Sequence, residues 1–122
     1  MSIVKSYLEA EVLHADRARL VEILYRSAIT AVGAARGHLA AGAIRERSRQ
    51  ITKALSIVYA LISALDHGNG GEIAWRLNGL YSYISERLIE ANAKQIDAPL
   101  AEVEVLLGVL MEAWAPVVAL AA

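Results

Sequence analysis

The chain has 122 residues, 57% of them apolar, a formal net charge of -1 and no cysteine. That length fits one domain around a single core, and the missing cysteine excludes a disulfide framework, a thiol nucleophile and a thiolate metal site. The charge balance gives no general electrostatic reason to bind nucleic acid, which calls for a basic face.

Alanine and leucine dominate, phenylalanine is absent, and the two prolines, Pro99 and Pro116, both lie near the C-terminus. Such a composition predicts an all-α domain. Met1 to Tyr7 carries no basic region leading into an apolar run, so no signal peptide is expected. The longest uncharged apolar stretch, Ala54 to Leu65, is twelve residues, against the roughly 20 needed to span a bilayer. A soluble, cytoplasmic protein without membrane insertion is the expectation.

In chain order, residues Ile3 to Leu13 read as a short helix or an extended arm, within an N-terminal segment 1–15. Asp16 is the candidate N-cap of a first long helix, Arg17 to Leu39, with Leu20, Leu24, Ala28, Ala31 and Ala35 at three- and four-residue spacing and Gly42 as its stop. A second helix covers about Ala43 to Leu65, its stripe formed by Ile44, Ile51, Leu55, Val58, Ile62 and Leu65. The run Asp66-His67-Gly68-Asn69-Gly70-Gly71 is expected to break it.

Glu72 opens a predicted third helix to about Lys94, its carboxylate facing the positive end of the dipole. The stripe there is Ile73, Leu77, Leu80, Tyr81, Ile84, Leu88 and Ala91. A turn from Gln95 to Pro99 leads to a fourth helix, about Ala98 to Ala115, with Leu100, Val103, Leu107, Leu110 and Trp114 inward and Pro116 as its end. Residues 116–122 then form a tail. Short connections between four long helices predict an antiparallel up-down four-helix bundle over residues 16–115.

Charge is distributed unevenly along these helices. Arg45, Arg47, Arg49 and Lys53 cluster with only Glu46 to offset them, whereas Asp97, Glu102, Glu104 and Glu112 are the only charges after Lys94. Two solvated helix faces of opposite sign, attracting each other in the bundle, explain this better than a phosphate-binding patch.

The apolar surface exceeds what a closed bundle needs, since a stripe of a little over 100° suffices for a core-facing helix. Val21, Tyr25, Ile29 and Val32 widen the first stripe to about half the circumference. Ile57 and Leu61 sit beside the second stripe. Trp75, Tyr83 and Ile89 lie off the third, and Val105 with Val109 lie nearly opposite the fourth. Thickening of the core is the preferred reading for Tyr25 and Val32. It fails for Val105 and Val109, because opposite faces of one peripheral helix cannot both meet a small core. Exposed apolar patches of that kind mark a partner surface, either a second copy of the chain or an amphipathic segment laid into a groove.

Reaction chemistry finds no support. His14, His38 and His67 are far apart and match no helical metal motif. Glu86 and Glu90 form a lone i, i+4 pair without the histidines of a di-iron site and read as a solvated edge. Gly68-Asn69-Gly70-Gly71 lacks the strand and lysine of a phosphate loop. Ser27 and Ser56 have no neighbouring base. No catalytic residue, cofactor or metal is expected, and a metal-dependent enzyme is only a formal third alternative.

Several segments together resemble one family. Tyr7 with Val12, then Leu20-Val21-Glu22-Ile23-Leu24-Tyr25 with Ala28-Ile29, then Asp66 with Gly70-Gly71-Glu72-Ile73-Ala74, Leu77 and Leu80-Tyr81-Ser82-Tyr83, are one part of the pattern. Arg87, Leu88, Glu90, Ala91 and Asn92, followed by Glu102-Val103, Leu106-Leu107, Leu110 and Glu112-Ala113-Trp114, are the other. In this order and spacing they resemble the flagellar secretion chaperones of the FliS type, from Tyr7 to Trp114. The chain departs from that pattern at His14-Ala15-Asp16-Arg17, where the family has a serine-proline start, and at Arg26 and Ser27, where it has an acidic residue and glycine.

The resemblance implies a non-enzymatic cytoplasmic chaperone that binds the disordered C-terminal segment of flagellin, blocks premature polymerisation and delivers the client to the flagellar export gate. Contacts with other flagellar regulators are left open. A client that folds on binding needs a long apolar groove to offset its ordering cost. That groove is expected to include Val21, Tyr25, Ile29, Ile57, Leu61, Tyr83, Val105 and Val109. Tyr7 is the candidate plug of the groove when no client is bound. Asn92 is expected to cap or brace the end of the third helix. The alternative is a homodimeric helical structural or regulatory module of flagellar assembly, with the surplus apolar face as its dimer interface.

Overall fold

A computed structural model describes the backbone of residues 3–121 and the side chains of residues 16–117. Four helices follow one another: α1 (Ile3–Ala40), α2 (Ile44–Ser63), α3 (His67–Lys94) and α4 (Ala98–Ala121). The three residues left between consecutive helices reach about 10 Å, whereas even α2, the shortest helix, is about 30 Å long. Consecutive helices therefore run antiparallel. α1 packs on α2 and α4, and α3 packs on the same two, which is the square of an up-down bundle.

The connections show how local chemistry sets the corners. Gly42 takes φ 71°, a left-handed conformation that glycine adopts without a Cβ penalty. There the Ala43 N–H returns to the His38 carbonyl at 2.9 Å and the Gly42 N–H to the Leu39 carbonyl at 3.2 Å, so α1 stops where the sequence places its stop. The Asp66 carboxylate accepts from the Asn69 backbone N–H at 3.1 Å and from its side-chain amide at 2.8 Å. At the third corner Gln95 is left-handed, with its N–H on the Ala91 carbonyl at 2.9 Å. Pro99 is buried in the first turn of α4, where its missing N–H costs nothing.

Helix limits depart from the sequence reading in three places. α1 runs unbroken through Asp16, so that residue lies inside a helix and is not its N-cap. The segment after Asp66 is a helical turn, His67 to Gly70, joined to the rest of α3 by a kink at Gly71 with φ 51° and ψ -124°. The capping Asp66 carboxylate organises this turn ahead of the predicted start at Glu72. Pro116 lies within α4, which continues to Ala121. A proline near a helix end gives up one intrahelical bond, to the carbonyl four residues back, and the later turns can still close.

The core is assembled from Tyr25, Ala28, Ala31, Val32 and Ala35 of α1, Ile51, Ala54, Val58 and Leu61 of α2, Tyr81, Ile84, Leu88 and Ala91 of α3, and Leu100, Val103 and Leu107 of α4. Buried alanines on three helices allow close approach of the backbones. The inward face of α4 is as expected, with Leu110 and Trp114 packed against its rim. On the other helices the ends of the predicted stripes are exposed: Leu20 at 53%, Ile44 at 57% and Ile73 at 70%. Where apolar residues cover half a helix, periodicity cannot centre the buried arc. On α1 that arc is centred on Tyr25, Ala28, Val32 and Ala35, about 90° from Leu20.

Polar ties fix the register. Tyr25 and Tyr81 reach each other across the bundle diagonal, hydroxyl to hydroxyl, at 2.5 Å, their rings tilted with centroids 6.5 Å apart. Arg36 grips Asp97 with two bonds of 2.8 and 2.9 Å and reaches Glu104 at 3.3 Å, joining α1 to the start of α4. The Arg36 guanidinium holds the Asp97 carboxyl below its ordinary value. Arg47 is not part of a solvated face. It is 3% exposed and donates to Gln95 at 3.4 Å and to Asn92 at 3.5 Å, while Ser48 donates to the same Asn92 oxygen at 2.9 Å. Asn92 thus braces the end of α3 against α2, as the sequence suggests. The two charged faces do not meet either, because α2 and α4 stand across the diagonal from each other.

These ties have measurable consequences. Tyr25→Phe, which leaves the Tyr81 hydroxyl without its partner, lowers unfolding stability by about 1–3 kcal/mol, and Tyr25→Phe/Tyr81→Phe costs less than the two single changes summed; chemical denaturation measures both. Burial raises both phenols above their ordinary value of 10.0. A raised folded-state value means their contribution is complete below pH 10.0 and is lost as pH climbs past it, so alkaline titration destabilises the wild type more steeply than the double phenylalanine variant. Asn92→Ala costs about 1–3 kcal/mol by orphaning Ser48 and Arg47. Arg47→Met, which removes a buried cation without a carboxylate partner, is close to neutral in the same assay.

Candidate functional site

At one end of the bundle the helices do not close. A cavity of about 240 Å³ opens there between all four of them. Val21 and Tyr25 of α1, Leu61 and Ala64 near the end of α2, Ala74, Leu77 and Tyr81 of α3, and Trp114 of α4 form its walls. The tyrosine pair is the boundary of this space: it lines the cavity and belongs to the packed core. Trp114 is held in place by its indole N–H, which donates to the Ala18 carbonyl at 2.8 Å. Gly70 sits on the rim, where a Cβ would come within 2.9 Å of Ala74, so glycine lets the turn that opens α3 lie close against the cavity.

A second apolar surface runs along the outside of α4. Val105 is 66% exposed and Val109 59%, about 40° apart around the helix and roughly opposite the buried Val103 and Leu107. The acids that flank them are drawn to the neighbouring helices. Glu104 is engaged by Arg36 of α1. Glu102 takes the Tyr83 hydroxyl as a donor and pairs with Arg87 of α3 at 3.4 Å. Tyr83 is raised above its ordinary phenol value, chiefly by that bond to a carboxylate. These contacts leave the crest of α4 between Ala98 and Glu112 without a projecting charge.

The sequence-predicted site residues therefore fall into separate places. Val21, Tyr25 and Leu61 come together at the cavity. Ile29 and Ile57 are half-buried against the core. Tyr83 stands on α3 beside Glu102, and Val105 with Val109 form the α4 crest. Tyr7 lies in the first turns of α1, and its side chain is outside the described residues. Tyr81, Leu77, Ala64 and Trp114 are cavity residues that the sequence reading assigned to the core or left unremarked. Their helical period gave only an inward direction. That the inward space stays open at this end depends on where the other helices stop.

The Arg87 to Asn92 motif is explained by packing. Arg87 pairs with Glu90 on its own helix and with Glu102 across the groove, Lys94 joins Glu90 at 3.0 Å, and Asn92 holds α2. Glu90 is thus part of a charged brace, and Glu86 is exposed. Among the described residues no group of three or more metal-ligating side chains gathers, and no helix is long and apolar enough to cross a membrane.

Comparison with known proteins gives consistent matches. A model of the family described as "Flagellar protein FliS" matches residues 1–121. The chain is 36% identical over 118 residues to the flagellar secretion chaperone FliSB of Pseudomonas aeruginosa, covering 93% of this chain and 94% of that protein. It is 35% identical over 116 residues to the flagellar secretion chaperone FliS of Salmonella typhimurium, covering 91% and 86%. A flagellar secretion chaperone FliS of Vibrio cholerae is 26% identical over 110 residues.

The two tryptophans give a direct check on the cavity wall. Trp75 is 72% exposed, whereas Trp114 is partly buried and bonded. Trp75→Phe should leave fluorescence that is blue-shifted and weakly quenched by acrylamide, and Trp114→Phe should leave the reverse.

Proposed function

The chain belongs to the FliS family of flagellar proteins, and on that premise we propose that it is a cytoplasmic, non-enzymatic chaperone for flagellin. Its client is the disordered C-terminal segment of flagellin, held apart from other flagellin molecules until it is delivered to the export gate. The observation that carries this reading is the apolar surface left uncovered by a bundle whose core is already complete. An open cavity at one end and the crest of Val105 and Val109 both lie on α4, with Val109 and Trp114 about 7.5 Å apart along its axis.

A segment that orders on binding loses conformational entropy along its whole length and must recover it from apolar contact. Amphipathic helices meet that need by placing anchors at three- and four-residue spacing into a hydrophobic groove. The cavity suits one large apolar anchor, with Val21, Leu61 and Trp114 around it. The α4 crest suits a second stretch of the same client, and Tyr83 borders that crest. Ile29 and Ile57 support the groove from the α1 and α2 side. Tyr7 remains the proposed plug of the site in the absence of client.

The experiment is a titration of a labelled peptide from the flagellin C-terminus against Val105→Asp/Val109→Asp. Affinity should fall by about tenfold or more, with helical content by circular dichroism unchanged because both positions are exposed. Wild-type affinity in the variant would contradict the crest as a client surface. Light scattering separates the homodimer alternative, which requires a stable dimer that survives addition of the peptide.

A further inference from the structure

We propose that the outward face of α2 docks an acidic helical segment of a second protein while the client occupies the α4 side. Arg45, Arg49, Thr52, Ser56 and Tyr59 follow one another at alternating four- and three-residue steps, all of them exposed. Such spacing makes one straight stripe along a helix, here about 21 Å long. Lys53 is exposed beside it.

Among the described residues the cations of this stripe have no ion-pair partner. Ion pairs among the described residues engage Arg26, Arg36, Arg76, Arg87 and Lys94, and none reaches Arg45, Arg49 or Lys53. Glu46, the single acid of α2, joins no ion pair among the described residues. The acids of α4 lie across the diagonal, and Asp97, Glu102 and Glu104 are already held by Arg36 and Arg87. Among the described residues the acids outside ion pairs, Asp16, Glu46, Asp66, Glu86 and Glu112, are scattered over the bundle, so a second copy shows no unengaged i, i+4 carboxylate pair there to set against this face.

The chemistry of the stripe selects its partner. Arg45 and Arg49 stand one turn apart, about 6 Å along the axis, which matches carboxylates at i and i+4 on a facing helix. About 15 Å further on, Tyr59 is 49% exposed and offers a ring for an apolar side chain. Duplex nucleic acid is a poor match, because three cations on a chain of net charge -1 release few counterions. Docking by charge sets orientation and association rate, and on this side of the bundle it leaves the α4 crest free.

The test is fluorescence anisotropy at low ionic strength with a labelled alanine-based helical peptide, about 20 residues long, carrying glutamates at i and i+4 and one leucine beyond them. Binding should weaken by about tenfold or more in Arg45→Glu/Arg49→Glu. Arg45→Gln/Arg49→Gln should lose less in the same direction. Arg76→Glu, a change at an exposed arginine of α3, and Val105→Asp should leave peptide affinity unchanged, the second separating this face from the client surface. No binding by the wild type, indifference to the α2 charge changes, or tighter binding of a duplex DNA or of anionic lipid vesicles than of the peptide would each overturn the proposal.

Discussion

The hydroxyl pair of Tyr25 and Tyr81 sets the boundary between the closed and the open part of the bundle. The two rings come from helices that stand across the bundle diagonal from each other, and their bond ties α1 directly to α3. Toward the Gly42 corner, Ala28, Val32, Val58, Ile84 and Leu88 are fully buried and fill the space with small and branched side chains. Toward the Asp66 corner the same pair becomes the wall of a cavity. Removing water from two phenols is costly unless they satisfy each other, and that mutual need keeps α1 and α3 in register beside an open end. A cavity next to a fixed pair retains its shape when empty, which reduces the ordering cost of filling it.

Charge serves the same arrangement. Arg36 and Arg87 are salt bridges of partly exposed groups, and such pairs contribute little to stability individually. Their geometric effect is larger: they draw Glu104 and Glu102 to either side of α4 and leave Val105 and Val109 on an uncharged crest. Arg47 is a different case. A buried guanidinium supported only by the side-chain amides of Gln95 and Asn92 is weak evidence for stability and better understood as a register device, fitting α2 to the left-handed end of α3 at Gln95. The conspicuous run from Arg87 to Asn92 is thus a structural joint, placed so that its neighbours can present an apolar surface.

The sequence made the architecture legible because composition, helix period and corner residues agreed. Gly42 and the inward face from Leu100 to Trp114 are found where they were expected. The misplacements have physical causes. Asp16 has the side chain of a cap and sits within α1. The glycine run after Asp66 carries a capped helical turn before the kink at Gly71. Leu20, Ile44 and Ile73 belong to apolar arcs too wide for periodicity to centre. The candidate site was legible in part: the exposure of Val105 and Val109 was visible as apolar residues opposite a buried face. The cavity was not, since it arises from the relative ends of four helices, a tertiary property with no local signal. Arg47 illustrates the same limit, because a basic run looks solvated until a neighbouring helix covers one member.

The uncovered apolar surface is the proposed seat of client binding. Calorimetry of the wild-type protein with the C-terminal segment of flagellin, repeated over a range of temperatures, measures that directly. Burial of apolar area on binding predicts a binding enthalpy that becomes steadily more favourable with temperature, a clearly negative heat-capacity change. A heat-capacity change near zero, or no binding at all, would contradict the account.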